Sequence, residues 1–170
     1  MTQQIMIMGV GCNLLSDEGF GIHVIEKLHE RYEFPENVSL MDGGVLGLNL
    51  LGIISEADRL IVIDVIRNKG KAGDFYRLEG EAIPERVRAK NSLHQVDFLE
   101  ALTMCQVLDK VPETVILGVE PEDIATVSVD LTPTIQEKIE PMIEKTLAEL
   151  DSLGVSYKKR NHVQVTDEIR

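Results

Sequence analysis

Three acids in this 170-residue sequence stand at or just past apolar runs: Glu18 beyond "IMIMGVG", Asp42 after "VSLM" and Asp64 within "RLIVIDV". Each run has the length and composition of a buried β-strand. In an open α/β sheet, ligands collect beyond the carboxyl ends of the strands, so this order brings all three acids towards one edge. Two ionised carboxylates about 4 Å apart repel by roughly 4 kcal/mol at an effective dielectric near 20. Such a cluster persists when a cation bridges it, when one member is protonated, or when the side chains diverge. His94 adds a neutral donor. It lies in the first turn of a helix that Ser92 starts, where the positive end of the dipole disfavours imidazolium. Two carboxylates and one imidazole suit a borderline dication such as nickel or zinc, with coordination positions left for a substrate.

The same residues have ordinary structural readings. Glu18 complements a helix dipole, Asp64 accepts a hydrogen bond at a strand end, and His94 stacks over Phe98. Asp42, ahead of Gly43 and Gly44, suits a turn. Cys12 reads as a small thiol with no base spaced to activate it, and no serine has such a base either, which disfavours covalent catalysis. The strand-glycine-helix opening "GVGCNLLSDEGFG" at 9–21 resembles a phosphate cradle, but G-x-G-x-x-G needs glycine where Leu14 stands. A phosphate would also meet Asp17 and Glu18 at the helix entrance, so that reading fails.

The elements that must position these groups alternate. Strands are expected at 3–9, 38–41, 59–65, 74–78 and 114–119, and helices at 18–32, 46–57, 92–109 and 132–150. On the first helix Ile22, Ile25, Leu28 and Tyr32 share a face, which leaves His23, Lys27 and Glu30 towards solvent. Ser92 and Gln95 have the spacing of a capping box. Residues 79–91 read as an irregular charged loop. The pattern predicts a three-layer α/β/α domain over 1–153, with a mostly parallel twisted sheet of about five strands. The element at 74–78 is the expected antiparallel exception, and the polar tail 154–170 is expected to fray.

Composition narrows the partners. Lys and Arg number 17 against 29 Asp and Glu, a formal charge of −12, which argues against nucleic acid and anionic membranes. Cys12 and Cys105 lack metal or redox spacing, no apolar run approaches the length of a membrane span, and no leader is evident, so a cytoplasmic location is expected.

Taken together, the motifs resemble those of the nickel–iron hydrogenase maturation proteases. They are the glycine-rich start at 9–21, "DGGVLGLNLL" at 42–51, "ADRLIVIDVI" at 57–66, "YRLEG" at 76–80, "SLHQVDFLEAL" at 92–102 and "LGVEPEDI" at 117–124. The resemblance spans about Ile5 to Leu150. It implies an endopeptidase that removes the C-terminal extension of the nickel-loaded hydrogenase large-subunit precursor. It also implies that Glu18, Asp64 and His94 contact a nickel ion carried by that precursor, with zinc or cadmium as surrogates in vitro. Cys12 departs from the family pattern, which has asparagine there. Two further readings stay open: a non-catalytic chaperone that senses the metallated precursor, and a conventional metallohydrolase with its own zinc.

Overall fold

The computed structural model describes residues 2–44, 50–80, 82–83 and 111–161, without the side chains of 50 and 51. Five strands form one sheet: β1 (Ile5–Gly9), β3 (Val38–Asp42), β4 (Arg59–Val65), β5 (Phe75–Glu79) and β6 (Glu113–Val119). Their order is β3-β1-β4-β6-β5. All neighbours run parallel except β5, which pairs antiparallel with β6. The architecture and the antiparallel exception both match expectation.

The period of two along each strand explains the layers. Ile5 and Ile7 of β1, Ile61, Ile63 and Val65 of β4, and Val115 and Leu117 of β6 face one core. That core is closed by α1 (Phe20–Arg31) and α4 (Ile139–Ser152), through Phe20, Leu28, Met142 and Leu150. Met6, Met8, Leu60, Val62 and Ile116 face the other side, where they meet Ile54 of α2 (Leu50–Ile54) and Ile83. Strands buried on both faces read as continuous apolar runs, which is why the sequence marks them well.

Several boundaries differ from expectation. The helix expected at 18–32 begins as a 3-10 turn (Ser16–Gly19) before α1. The stretch expected as one helix at 132–150 is two, α3 (Pro133–Gln136) and α4. Pro141 supplies the reason: it has no N–H to bond the Glu137 carbonyl, so it is tolerated only within the first turn of a new helix. Helix 46–57 is seen as α2, within the described part of that stretch. The helix expected at 92–109, with Ser92, His94, Gln95, Phe98 and Cys105, lies outside the described residues.

The expectation that the chain frays from 154 onward is corrected for its first residues. Gly154, at φ 72°, ends α4, and the Val155 N–H bonds back to the Leu150 carbonyl at 3.1 Å. Tyr157 then packs edge-on against Tyr32, with ring centroids 5.9 Å apart. Strand β7 (Lys158–Lys159) pairs antiparallel with β2 (Tyr32–Glu33). Two apolar side chains in a polar tail, Val155 and Tyr157, are enough to anchor it.

Candidate active site

The carboxyl edge of the sheet is built by register. Gly9 of β1 stands level with Asp42 of β3 and Ile63 of β4, and Asp64 follows one residue on, opposite Gly118 of β6. Beyond Gly9 the chain stays on β4, since the Val10 N–H bonds the Ile63 carbonyl at 2.9 Å. The turn at 16–19 then folds back and packs against β4.

Glycines make this return possible. A Cβ on Gly21 would overlap the Ile63 carbonyl oxygen, so only glycine lets the start of α1 lie directly on the strand. Gly11 has φ 138°, and a Cβ there would overlap the Glu18 carbonyl oxygen. The glycine motif thus serves close backbone packing, and the place a phosphate would take is filled by the 16–19 turn.

Within that turn the two neighbouring carboxylates have different jobs. Asp17 is wholly buried, with 0% exposure. Its Oδ2 accepts the Glu122 and Asp123 N–H groups at 3.0 and 2.8 Å, and its Oδ1 accepts the Thr132 N–H at 2.8 Å. The Thr132 hydroxyl donates to the same carboxylate. Three backbone donors and a hydroxyl satisfy a buried charge that would otherwise be costly. Asp17 therefore ties the turn to the 120–132 loop that follows β6. Further bonds support the tie: Ser16 N–H to the Ser128 carbonyl at 2.8 Å, Ser128 N–H to the Leu14 carbonyl at 3.0 Å, and Asp17 N–H to the Asp123 carbonyl at 3.0 Å. Ser16 is held at φ 48°, a backbone conformation that costs a non-glycine residue roughly 1 kcal/mol.

Glu18 is 8% exposed, and its backbone is fixed at both ends: its N–H bonds the Leu15 carbonyl at 3.1 Å and its carbonyl accepts the Cys12 N–H at 3.2 Å. Asp64 is likewise 8% exposed, and its Oδ1 accepts the Val65 N–H at 2.8 Å. By strand alternation Asp64 continues the row of Leu60 and Val62, on the sheet face away from α1. Both carboxylates are thus largely buried, Asp64 near the end of β4 and Glu18 on the turn that packs against that strand.

The other sequence candidates divide differently. Asp42 is exposed, and its Oδ1 accepts the Gly44 N–H at 2.9 Å, so it is a turn residue. Cys12 is a half-buried free thiol. His23 is not the solvated residue expected: its Nε2 lies 3.2 Å from the Val129 carbonyl and joins α1 to the loop. His94 lies outside the described residues, and among those described no three His, Cys, Asp or Glu side chains gather closely enough to hold a metal ion.

A fourth buried carboxylate, Glu120, was not singled out from sequence. It is 6% exposed and follows β6 as Asp64 closes β4. Its Oε2 accepts the Tyr76 hydroxyl at 2.7 Å and the Asn68 N–H at 2.8 Å, fixing the 66–74 loop over the edge. Burial, reinforced by the neighbouring Glu120 carboxylate, pushes the Tyr76 phenol up to about 12. An acid immediately after the apolar run "TVILGV" was the available signal.

An α/β domain with buried carboxylates at the carboxyl edge of its sheet is the class these features define, and comparison with known proteins narrows it. The family model described as hydrogenase maturation protease matches residues 22–149, a span that includes Asp64 and His94 and begins just after Glu18. The hydrogenase 2 maturation protease of Escherichia coli strain K12 is 37% identical over 154 residues, 89% of this chain and 93% of the relative. The hydrogenase expression/formation protein HupD of Bradyrhizobium diazoefficiens is 36% identical over 160 residues, 93% of this chain and 83% of the relative. Among solved structures, the hydrogenase maturating endopeptidase HybD from E. coli superposes with a TM-score of 0.88 at 35% identity, covering 92% of this chain and 98% of that one. This chain belongs to the hydrogenase maturation protease family and is a peptide-bond hydrolase. No helix among the described residues is long and apolar enough to cross a membrane.

Proposed function

We propose that this protein removes the C-terminal extension of a hydrogenase large-subunit precursor after nickel has been loaded into it, and that Glu18, Asp64 and His94 contact that nickel. The observation that carries the reading is the burial of two carboxylates beside β4: Asp64 near its carboxyl end and Glu18 on the 16–19 turn that packs against that strand. Buried carboxylates are retained at a sheet edge where they meet a cation or a proton donor. The nickel is part of the substrate, and it is a cation that carboxylates at this edge are suited to contact.

In this reading the Glu18 and Asp64 carboxylates and a neutral His94 imidazole complete the coordination of the precursor's ion. The scissile peptide then lies along the carboxyl edge. A water molecule attacks its carbonyl carbon, the C–N bond breaks, and the departing amine takes the proton that water gives up. A carboxylate beside the ion is suited to carry that proton. The backbone bonds at both ends of Glu18 hold it in place before substrate arrives, which reduces the ordering cost of binding.

The test is incubation of the purified protein with nickel-loaded and nickel-free precursor, followed by intact-mass measurement. Clipping of the loaded form alone is the expected result. Equal clipping of both forms, or stable binding without clipping, would refute the proposal. Glu18→Gln is expected to abolish processing and to weaken the complex together, because the lost charge serves recognition of the ion.

A further inference from the structure

Among the described residues four large apolar side chains are well exposed, and three of them, Leu14 (57%), Val127 (82%) and Val129 (59%), come from two segments that are bonded to each other. Leu15 and Ser128 form a parallel bridge, and the bonds from Ser16 and Ser128 hold the 14–16 and 127–129 strips side by side. His23 fastens the Val129 carbonyl from below, and Asp17 fastens both ends of the loop. This apolar tip is therefore rigid, and it stands on the segment that carries Glu18.

The two segments that carry it are acidic. Neither residues 2–26 nor residues 111–137 include a lysine or an arginine, while Glu122 and Asp130 are exposed on the loop itself. A pre-ordered apolar strip on an anionic background is complementary to an extended segment whose apolar side chains are flanked by basic ones.

We infer that Leu14, Val127 and Val129 form the docking strip for the precursor, receiving an apolar segment flanked by lysine or arginine beside the scissile region. The inference rests on the function proposed above and adds the surface and the chemistry by which the substrate is gripped. Apolar burial supplies the grip, and the acidic side chains of these two segments supply orientation and a faster encounter.

The experiment uses the full-length protein and nickel-loaded precursor, with complex affinity and processing rate measured for the parent, Val127→Ser/Val129→Ser, Val127→Lys/Val129→Lys and, as a control, Val111→Ser. Both valines are exposed, so the double variants are expected to melt with the parent. The serine pair should raise KM and Kd about tenfold with kcat at saturation unchanged. The lysine pair should raise them further, and the gap between the two pairs should close in about 0.5 M salt. Val111→Ser should match the parent. Parent-like affinity in both double variants overturns the inference. A parent dimer that the serine pair makes monomeric, with precursor affinity unchanged, also overturns it, because a second copy is then the occupant. Failure of the parent to process the precursor is a distinct result that removes the proposed function and this inference with it.

Discussion

Replacing Asp17 by asparagine isolates the tie that fixes the 16–19 turn. The carboxylate receives the Thr132 N–H on one oxygen and the Glu122 and Asp123 N–H groups on the other. An amide keeps one acceptor and replaces the other with a donor. Its better orientation still turns N–H towards the Thr132 N–H; the worse one strands two donors. An unsatisfied buried donor costs about 1–3 kcal/mol, and the remaining bonds lose their charge assistance, so about 2–4 kcal/mol is expected. In a chain of this size each kcal/mol lowers the melting temperature by about 2–4 °C, so Asp17→Asn should melt roughly 4–16 °C lower. Asp17→Ala strands all three N–H groups and should fall further. Circular-dichroism melts give the stability, and processing assays well below the transition give the effect on Glu18, expected to be about tenfold in rate. A folded Asp17→Asn that melts within about 2 °C of the parent would refute the assignment of this network as the anchor of the turn.

Further predictions follow from other contacts. Gly11→Ala should drive the turn away from the Glu18 carbonyl, with a loss of more than about 2 kcal/mol in urea unfolding and of processing; wild-type behaviour in both would mean that the turn is more yielding than its packing indicates. Tyr157→Ala should cost about 2 kcal/mol, or about 4–8 °C in the melt, by removing a half-buried ring from Tyr32 and Phe34; an unchanged melt would show that the 155–161 segment adds no stability. The Tyr76 phenol is raised by burial above its ordinary value of 10.0, so the folded state favours the neutral form. That contribution is present below pH 10 and is lost as the pH rises towards about 12, so alkaline titration of tyrosinate absorbance should show Tyr76 ionising late and stability falling across that window. Ionisation near pH 10 with no loss of stability would count against the Tyr76–Glu120 clamp.

How far the sequence could be read depended on which signals are local. Strands buried on both faces announce themselves as apolar runs, so β1, β4 and β6 were legible, as were the edge strands β3 and β5. Helix boundaries were less so, because Pro141 acts through the carbonyl four residues earlier and the 3-10 start at Ser16 depends on bonds to Ser128 and Asp123. Family membership was legible from the motifs, and the comparisons bear it out.

The division of labour between Asp17 and Glu18 was not legible. Adjacent acids look alike in sequence, and what separates them is a set of donors 105 to 115 residues away. The same holds for Glu120 and Tyr76, which are 44 residues apart. Residue type and spacing by themselves determined the layers, the sheet and the edge at which acids gather, because hydrophobic periodicity is written residue by residue. Tertiary structure alone decided which of the two adjacent acids ties the turn to the 120–132 loop, and which apolar side chains stay outside the core, because a hydrogen bond or a solvent contact is fixed only when distant segments meet.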